Sequence, residues 1–408
     1  MDFPDESQEH RDCPENVPVL CGKKTLSRGL CVGTRDECKT RKQGVRAILK
    51  LPENTAGRDY GYVSDFLGRG CYVPTASMKI DYQRSYRRFD SVPDTFSLLT
   101  YNIWGLPKPK LKRLFNLRKP LLINTLNGTD ADMFCLQEMS HMAYTEMAEW
   151  IDQYAFASEV PFPVDTERRN RSVEVYFVSR YRPKKITVYG ITGVLGYENS
   201  LLVVEYPNLT IFNMYSQAGS KHSVGQEKTW IHYSRCRYDI MNMIYDMLPK
   251  GEAAVICGDF NFHLDGTEAE WPEMEMIRRF ETAGFVDTYR KIHRVGGLTE
   301  DTDTNLMRWN QKLMAKKYRY DGILYRPGDW SVVGSQVIGK DLVYLNEANS
   351  EWFYDEISEA HRLGGRRRLR GVRQTRKGMR LPINASDHFG VLTKFRVRHG
   401  AKTRKVRR

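Results

Sequence analysis

The sequence predicts an α/β fold of two packed mixed sheets flanked by helices, and three observations lead there. From Thr95 onward, short runs of apolar and β-branched residues alternate with longer stretches of helical period. Strands outnumber helices, and they often follow one another with no helix between. A doubly wound parallel sheet needs a crossover helix between successive strands, so direct succession favours mixed sheets packed on each other. With 408 residues, 41% hydrophobic and 12% aromatic, the chain can bury a large core.

The elements follow in order. "TFSLLTYNIW" (95–104) reads as a strand and "KLKRLFNLRKPLLINTLN" (110–127) as an amphipathic helix interrupted by Pro120. "ADMFCLQEM" (131–139) is a buried strand, followed by helix-like "AYTEMAEWIDQY" (143–154). Strands are expected at 172–181, 200–206 and 209–215, a long helix across 227–248, and a strand at 253–262. A helix at 272–283 precedes strands at 318–326, 330–337 and 388–397. Residues 1–94, rich in Gly, Pro, Cys and charge, show no sustained period. They read as an extension ahead of a domain at 95–396, with a basic tail at 397–408.

The formal charge is +13, and its placement matters more than its size. Residues 362–380 hold nine Lys/Arg and no acid, and the stretch from Arg396 to the end holds seven more. Without those sixteen cations the remainder carries −3. Clustered positive charge favours polyanions through counterion release, and nucleic acid is the expected partner, DNA before RNA. An anionic membrane and a nuclear-import signal are the alternatives. No apolar run approaches the ~18–20 residues that span a bilayer. The start, "MDFPDESQEH", is polar and acidic rather than a secretory signal. The expectation is an intracellular protein, nuclear or cytoplasmic.

Cys13, Cys21, Cys31 and Cys38 crowd the first forty residues without any C-x-x-C pair, which makes a weak zinc pattern; two disulfides are the other use of four thiols. Cys135 and Cys257 lie inside apolar strands, as buried free thiols of a reducing compartment do.

Several strands end in polar groups. Asn102 follows "LLTY", Glu138 follows "MFCLQ", and Asp259 and Asn261 sit in "VICGDFNFHLD". Asp321 lies in "YRYDGILY", and Asp387-His388 precede the last strand. Each alone has an ordinary structural explanation: a turn cap, an ion pair, an Asx-turn, a satisfied core histidine. Together they are the parts that hold a hard divalent cation and a phosphate. Mg²⁺ takes one or two carboxylates plus water and substrate oxygens, asparagines donate to phosphate without adding charge, and an Asp and a His can move protons.

The ordered set "TYNIWG", "LQEM", "GDFNF", "YDGILY" and "SDHFG" resembles the endonuclease/exonuclease/phosphatase superfamily over about 95–396. The resemblance implies a four-layer α/β sandwich with the site at one edge between the sheets. It implies Mg²⁺, with Mn²⁺ as a substitute, on Glu138 with Asp387 in or beside the metal shell. Asn102 and Asn261 would contact phosphate or water, and Asp259 would activate the nucleophile. His388, fixed by Asp321, would stabilise the pentacovalent phosphate. Where many members carry a His, this chain has Tyr215, as exonuclease III-type members do; the phenol could donate to a phosphate oxygen, and His222 lies nearby in sequence. "LTEDTDTN", with Thr299, Asp301, Thr302 and Asn305, is similar to a segment of the 5′-tyrosyl-DNA phosphodiesterases, although Glu300 replaces their aromatic. The implied activity is a Mg²⁺-dependent phosphodiesterase on nucleic acid, a nuclease or an end-processing enzyme of DNA repair. A lipid or inositol phosphoesterase and a catalytically inactive nucleic-acid binder are the alternatives.

Overall fold

The computed structural model describes residues 77–105, 109–158, 175–192, 198–219, 230–305, 307, 316–353 and 380–398, with the backbone of short strands Val19–Cys21, Leu30–Val32, Tyr60–Ser64 and Gly70–Pro74. Cys13, Cys38, His222, the basic segment before Arg380 and the tail beyond residue 398 lie outside them, as do the side chains of Cys21 and Cys31.

Two mixed sheets carry the domain. The larger has seven strands in the order Val286–Asp287, Asp321–Arg326, Ala254–Asp259, Thr210–Tyr215, Glu198–Glu205, Lys185–Thr192 and Ser77–Ser85. The smaller has six: Trp330–Ile338, Gly390–Val397, Thr95–Gly105, Met133–Met139, Val175–Ser179 and Phe156–Ala157. Each sheet contains one parallel pair, and each pair is bridged by a long helix, because parallel neighbours require a crossover. Pro109–Gly128 joins Thr95–Gly105 to Met133–Met139, and Trp230–Asp246 joins Thr210–Tyr215 to Ala254–Asp259.

Side-chain alternation sorts the strands into layers. Leu98, Met133, Cys135 and Phe177 of the smaller sheet meet Ile211, Val255, Cys257 and Ile323 of the larger in one core between the sheets. The opposite faces are covered by helices. Leu99, Tyr101, Phe134 and Leu136 pack against Phe115, Leu122 and Leu126, while Phe212, Met214 and Ile256 pack against Cys236, Ile240 and Ile244. Helix, sheet, sheet, helix: this is the four-layer sandwich the sequence implied.

Three local readings change. The first long helix runs through Pro120 without a break. Proline removes one N–H, but the buried face of Phe115, Leu122 and Leu126 holds both halves on the sheet. The 143–154 segment divides into His141–Glu146 and Ala148–Ile151, where Met147 leaves helical geometry at φ −106°, ψ 7°. The larger sheet also gains three strands absent from the sequence reading, the short Val286–Asp287 and, paired antiparallel, Ser77–Ser85 and Lys185–Thr192. Ser77–Ser85 reaches back into the 1–94 stretch. "SMKIDYQRS" is an edge strand with charged residues along it, so its apolar signal is weak.

Candidate active site

Asn102, Tyr215 and Asp259 occupy the C-terminal ends of three strands in the two parallel pairs, each facing the neighbouring sheet. Asp321 faces the same way from the start of an antiparallel strand, directly opposite Asp259 in register. Glu138 should point the other way, because Phe134 and Leu136 share its parity and pack under the helix. Its φ of 53° re-aims it, and the carboxylate bonds inward. Trp104 at 51° and Asn261 at 53° bracket the same cleft in the same left-handed conformation.

Asn102 ties the two sheets together: its Nδ2 donates to Glu138 Oε1 and to Asp259 Oδ2, both at 3.0 Å. Tyr215 Oη donates to Glu138 Oε1 at 3.0 Å. Glu138 Oε2 is buried with no hydrogen-bond partner among the described residues. Burial and the neighbouring Asp387 carboxylate push the Glu138 pKa up. A buried carboxylate oxygen without a donor, beside a second acid, fits a hard divalent cation.

On the other side, His388 Nδ1 sits 2.8 Å from Asp321 Oδ2, and His388 Nε2 lies 4.0 Å from Asp259 Oδ2. All three side chains are essentially inaccessible. Burial lowers the imidazole pKa, but the Asp321 and Asp259 carboxylates outweigh it and raise it to about 10. Burial and Asp321 raise Asp259 to about 8. Asp259 and His388 therefore retain protons that free side chains would release at neutral pH. The three also offer ligand atoms within 4.8 Å of one another, a spacing that a divalent ion could span.

The backbone around these groups is closely fitted. Gly258 has φ 139°, and a Cβ there would lie 1.8 Å from Met214 O on the adjacent strand. Glycine before Asp259 is thus a requirement of close strand approach. Asn261 N donates to Asp259 Oδ1 at 2.9 Å, and Asn261 Nδ2 donates to Ser216 O at 2.9 Å. One Asn261 amide hydrogen therefore serves the backbone. Thr299 Oγ1 accepts from the N–H groups of Tyr320 and Asp321, and Asn305 Nδ2 donates to Ser386 O at 3.1 Å. The "LTEDTDTN" segment thus holds Asp321 and the loop before His388.

All eight site residues named from sequence, Asn102, Glu138, Tyr215, Asp259, Asn261, Asp321, Asp387 and His388, belong to this one region. Two details differ: Tyr215 spends its proton on Glu138, and Asn261 bonds Ser216. Three contributors were missed. Gln137 Nε2 donates to Asn213 Oδ1 at 2.8 Å and to Thr100 Oγ1 at 3.0 Å, bracing the two sheets beneath Glu138. Ser386 Oγ donates to Asn102 O at 2.7 Å. Arg118 is buried behind the Asn102 turn. Its signal was available, since it stands between Leu114-Phe115 and Leu121-Leu122 on the apolar side of a helix.

Sequence comparison matches residues 99–388 to the "Endonuclease/Exonuclease/phosphatase family". No curated protein matches the sequence. Among solved structures, a humanized D. rerio TDP2 with 14 mutations is similar at 14% identity and a TM-score of 0.46, covering 74% of this chain and 99% of that one. An endonuclease/exonuclease/phosphatase from Beutenbergia cavernae DSM 12333 is similar at 13% identity and 0.44, covering 75% and 72%. SmcL is similar at 13% and 0.48, covering 75% and 100%. At these identities and scores the likenesses do not extend to substrate.

Proposed function

Because the chain belongs to the endonuclease/exonuclease/phosphatase family and is thus a metal-dependent phosphoesterase, we propose that its substrate is a phosphodiester in nucleic acid, DNA before RNA, cleaved as a nuclease or an end-processing enzyme of DNA repair. The observation that carries this reading is the link between charge and cleft. Nine Lys/Arg and no acid fill residues 362–380, and that run ends at Arg380, six residues before Ser386. The chain itself therefore tethers a polyanion-binding segment to the site.

The residues divide the work. Glu138 and Asp387 would hold Mg²⁺, or Mn²⁺ in its place, which supplies charge neutralisation and polarisation of phosphate oxygens. Asn102 keeps Glu138 and Asp259 at fixed separation, and Asn261 turns its remaining amide hydrogen to the phosphate. Asp259 accepts the proton of the attacking water when its carboxyl, raised to about 8, is ionised. His388, oriented through Nδ1 by Asp321, donates from Nε2 to the phosphoryl oxygen on which charge develops. Buried Cys135, Cys236 and Cys257 as free thiols suit an intracellular location, nuclear or cytoplasmic.

A second reading, a lipid or inositol phosphoester, takes support from one feature. Leu342, Val343 and Tyr344 are exposed on a strand that pairs with Pro382–Asn384, beside the approach to Ser386. No helix among the described residues is long and apolar enough to cross a membrane.

The test is incubation with labelled 5′-tyrosyl, abasic, single-stranded and duplex oligonucleotides, and separately with sphingomyelin vesicles, each with Mg²⁺ and with EDTA. Mg²⁺-dependent cleavage of an oligonucleotide, suppressed as salt rises, is expected. Release from vesicles alone overturns the nucleic-acid reading.

A further inference from the structure

Among the described side chains each crossover helix carries one fully buried arginine, Arg118 and Arg237, and the two are neutralised differently. Arg237 Nε bonds Glu273 Oε1 at 2.7 Å, and its Nη1 donates to Gln217 O at 2.8 Å and Gly219 O at 2.6 Å. Arg118 has no carboxylate in contact among the described residues. Its Nη1 donates to Ile103 O at 2.7 Å and Ala385 O at 2.6 Å, and its Nη2 to Trp104 O. The guanidinium lies 5.3 Å from the Trp104 ring and 4.9 Å from that of Phe115. An interior cation facing only carbonyls and rings is costly, so its retention calls for a use.

The carbonyls it selects indicate that use. Ile103 and Trp104 follow Asn102 directly, and Trp104 holds a left-handed φ of 51°. Ala385 precedes Ser386, Asp387 and His388. We propose that Arg118 is a positioning residue, clamping the Asn102 turn to the 385–388 loop so that Asp387 meets Glu138 at the spacing a divalent cation requires. Ser386 Oγ to Asn102 O, 2.7 Å, is a second tie between the same two segments. Burial lowers the Arg118 pKa, and with Asp387, Tyr101 and Glu138 working against it the value is about 10. The forked geometry is essential: two carbonyls at the end of the Thr95–Gly105 strand and one in the loop before Ser386 are reached by two nitrogens of one planar group, whereas an ammonium must place all its donors on a single nitrogen. This clamp rests on the reading of Glu138 and Asp387 as cation ligands.

Arg118→Lys keeps the charge and removes the fork, so it isolates the clamp. In the full chain it is expected to bind Mn²⁺ about 10-fold more weakly, measured directly by loss of free-Mn²⁺ signal in electron paramagnetic resonance. With Mg²⁺ and a cleaved oligonucleotide, kcat should fall about 10²-fold with KM changed by less than about threefold. Arg237→Lys, which disturbs a buried pair elsewhere, should lower the urea midpoint while leaving Mn²⁺ affinity unchanged. Wild-type Mn²⁺ affinity and kcat in folded Arg118→Lys would reduce Arg118 to packing and overturn the clamp. If that variant does not fold, Ser386→Ala must show the same pattern in weaker form, and wild-type behaviour there overturns it equally. The outcomes separate from the function itself. Wild-type protein that binds Mn²⁺ but cleaves no oligonucleotide sinks the substrate reading and leaves the clamp to be read from Mn²⁺. A Glu138→Gln variant that binds Mn²⁺ as tightly as wild type sinks the cation reading.

Discussion

The domain contains the same device twice. Thr95–Gly105, Pro109–Gly128 and Met133–Met139 form one strand–helix–strand unit, and Thr210–Tyr215, Trp230–Asp246 and Ala254–Asp259 form the other. Each projects polar side chains from the ends of its parallel strands, and each buries an arginine on its helix against backbone at or just past the end of the first strand. The charge balance is where they part. In the first unit, among the described residues, Glu138 Oε2 has no hydrogen-bond partner and Arg118 contacts only carbonyls and rings. In the second, Asp259 lies by the His388–Asp321 pair and Arg237 is matched by Glu273. One half is short of a cation and the other is supplied with protons. Duplicated geometry with unequal electrostatics gives a single cleft two separate chemical duties.

The strongest way to break this comparison is to remove the proton acceptor of the second unit. Asp259→Asn should lower kcat by about 10²–10⁴-fold, the range for a lost general base, while oligonucleotide binding in a salt series stays at wild-type strength. Equal losses in binding and turnover would mean that Asp259 belongs to the cation side after all, as its spacing with Asp321 and His388 allows.

Arg237→Met should come next in size, read on stability. It strands Glu273 in the core without its partner, and breaking a buried pair costs about 3–5 kcal/mol. Urea unfolding should show it. An unchanged midpoint would mean that the second unit's balance is not set by this pair.

The pH dependence of stability sharpens the proton side. Asp259 rises from 3.8 unfolded to about 8, and His388 from 6.5 to about 10. In both cases the folded protein binds the proton more tightly than the unfolded chain. The stability they contribute is full below the unfolded value and is lost as pH climbs through the folded one. Thermal unfolding in EDTA should therefore weaken from pH 6 to pH 9, by at most ~1.4 kcal/mol per pH unit for each proton. Asp259→Asn should flatten its share. A wild-type midpoint that climbs over this interval would contradict the proton-holding role.

How much of this was legible in sequence follows from the same two units. Strand tips were readable because "TYN", "LQE" and "GDFN" each place a polar residue at the end of an apolar run, and Gly258 announces the close strand contact before Asp259. The two outermost strands at one end of the larger sheet were harder. Ser77–Ser85 is marked by charge along its length, and Lys185–Thr192 mixes Lys, Thr and Gly into its apolar residues. Long-range partners left no local trace: that Gln137 would brace Asn213, or that Arg118 would reach Ala385, depends on chain segments 76 and 267 residues apart. Nor does Glu138 look different from any residue following an alternating strand. Only the positive φ turns it into the cleft.

Tyr215 crosses between the halves, and the smallest predicted effect tests which it serves. It stands on the second unit, but its hydroxyl donates to Glu138 Oε1 of the first, an oxygen that Asn102 also satisfies. With one donor left, Tyr215→Phe should cost about 0.5–1.5 kcal/mol, up to about tenfold in rate. If the phenol orients Glu138 for its cation, the loss will appear at low Mg²⁺ and shrink as Mg²⁺ approaches saturation. If it serves the phosphate instead, as the sequence suggested, kcat will stay depressed at saturating Mg²⁺. A Mg²⁺ titration of the variant decides between them, since a weakened ligand can be compensated by mass action and a missing phosphate donor cannot.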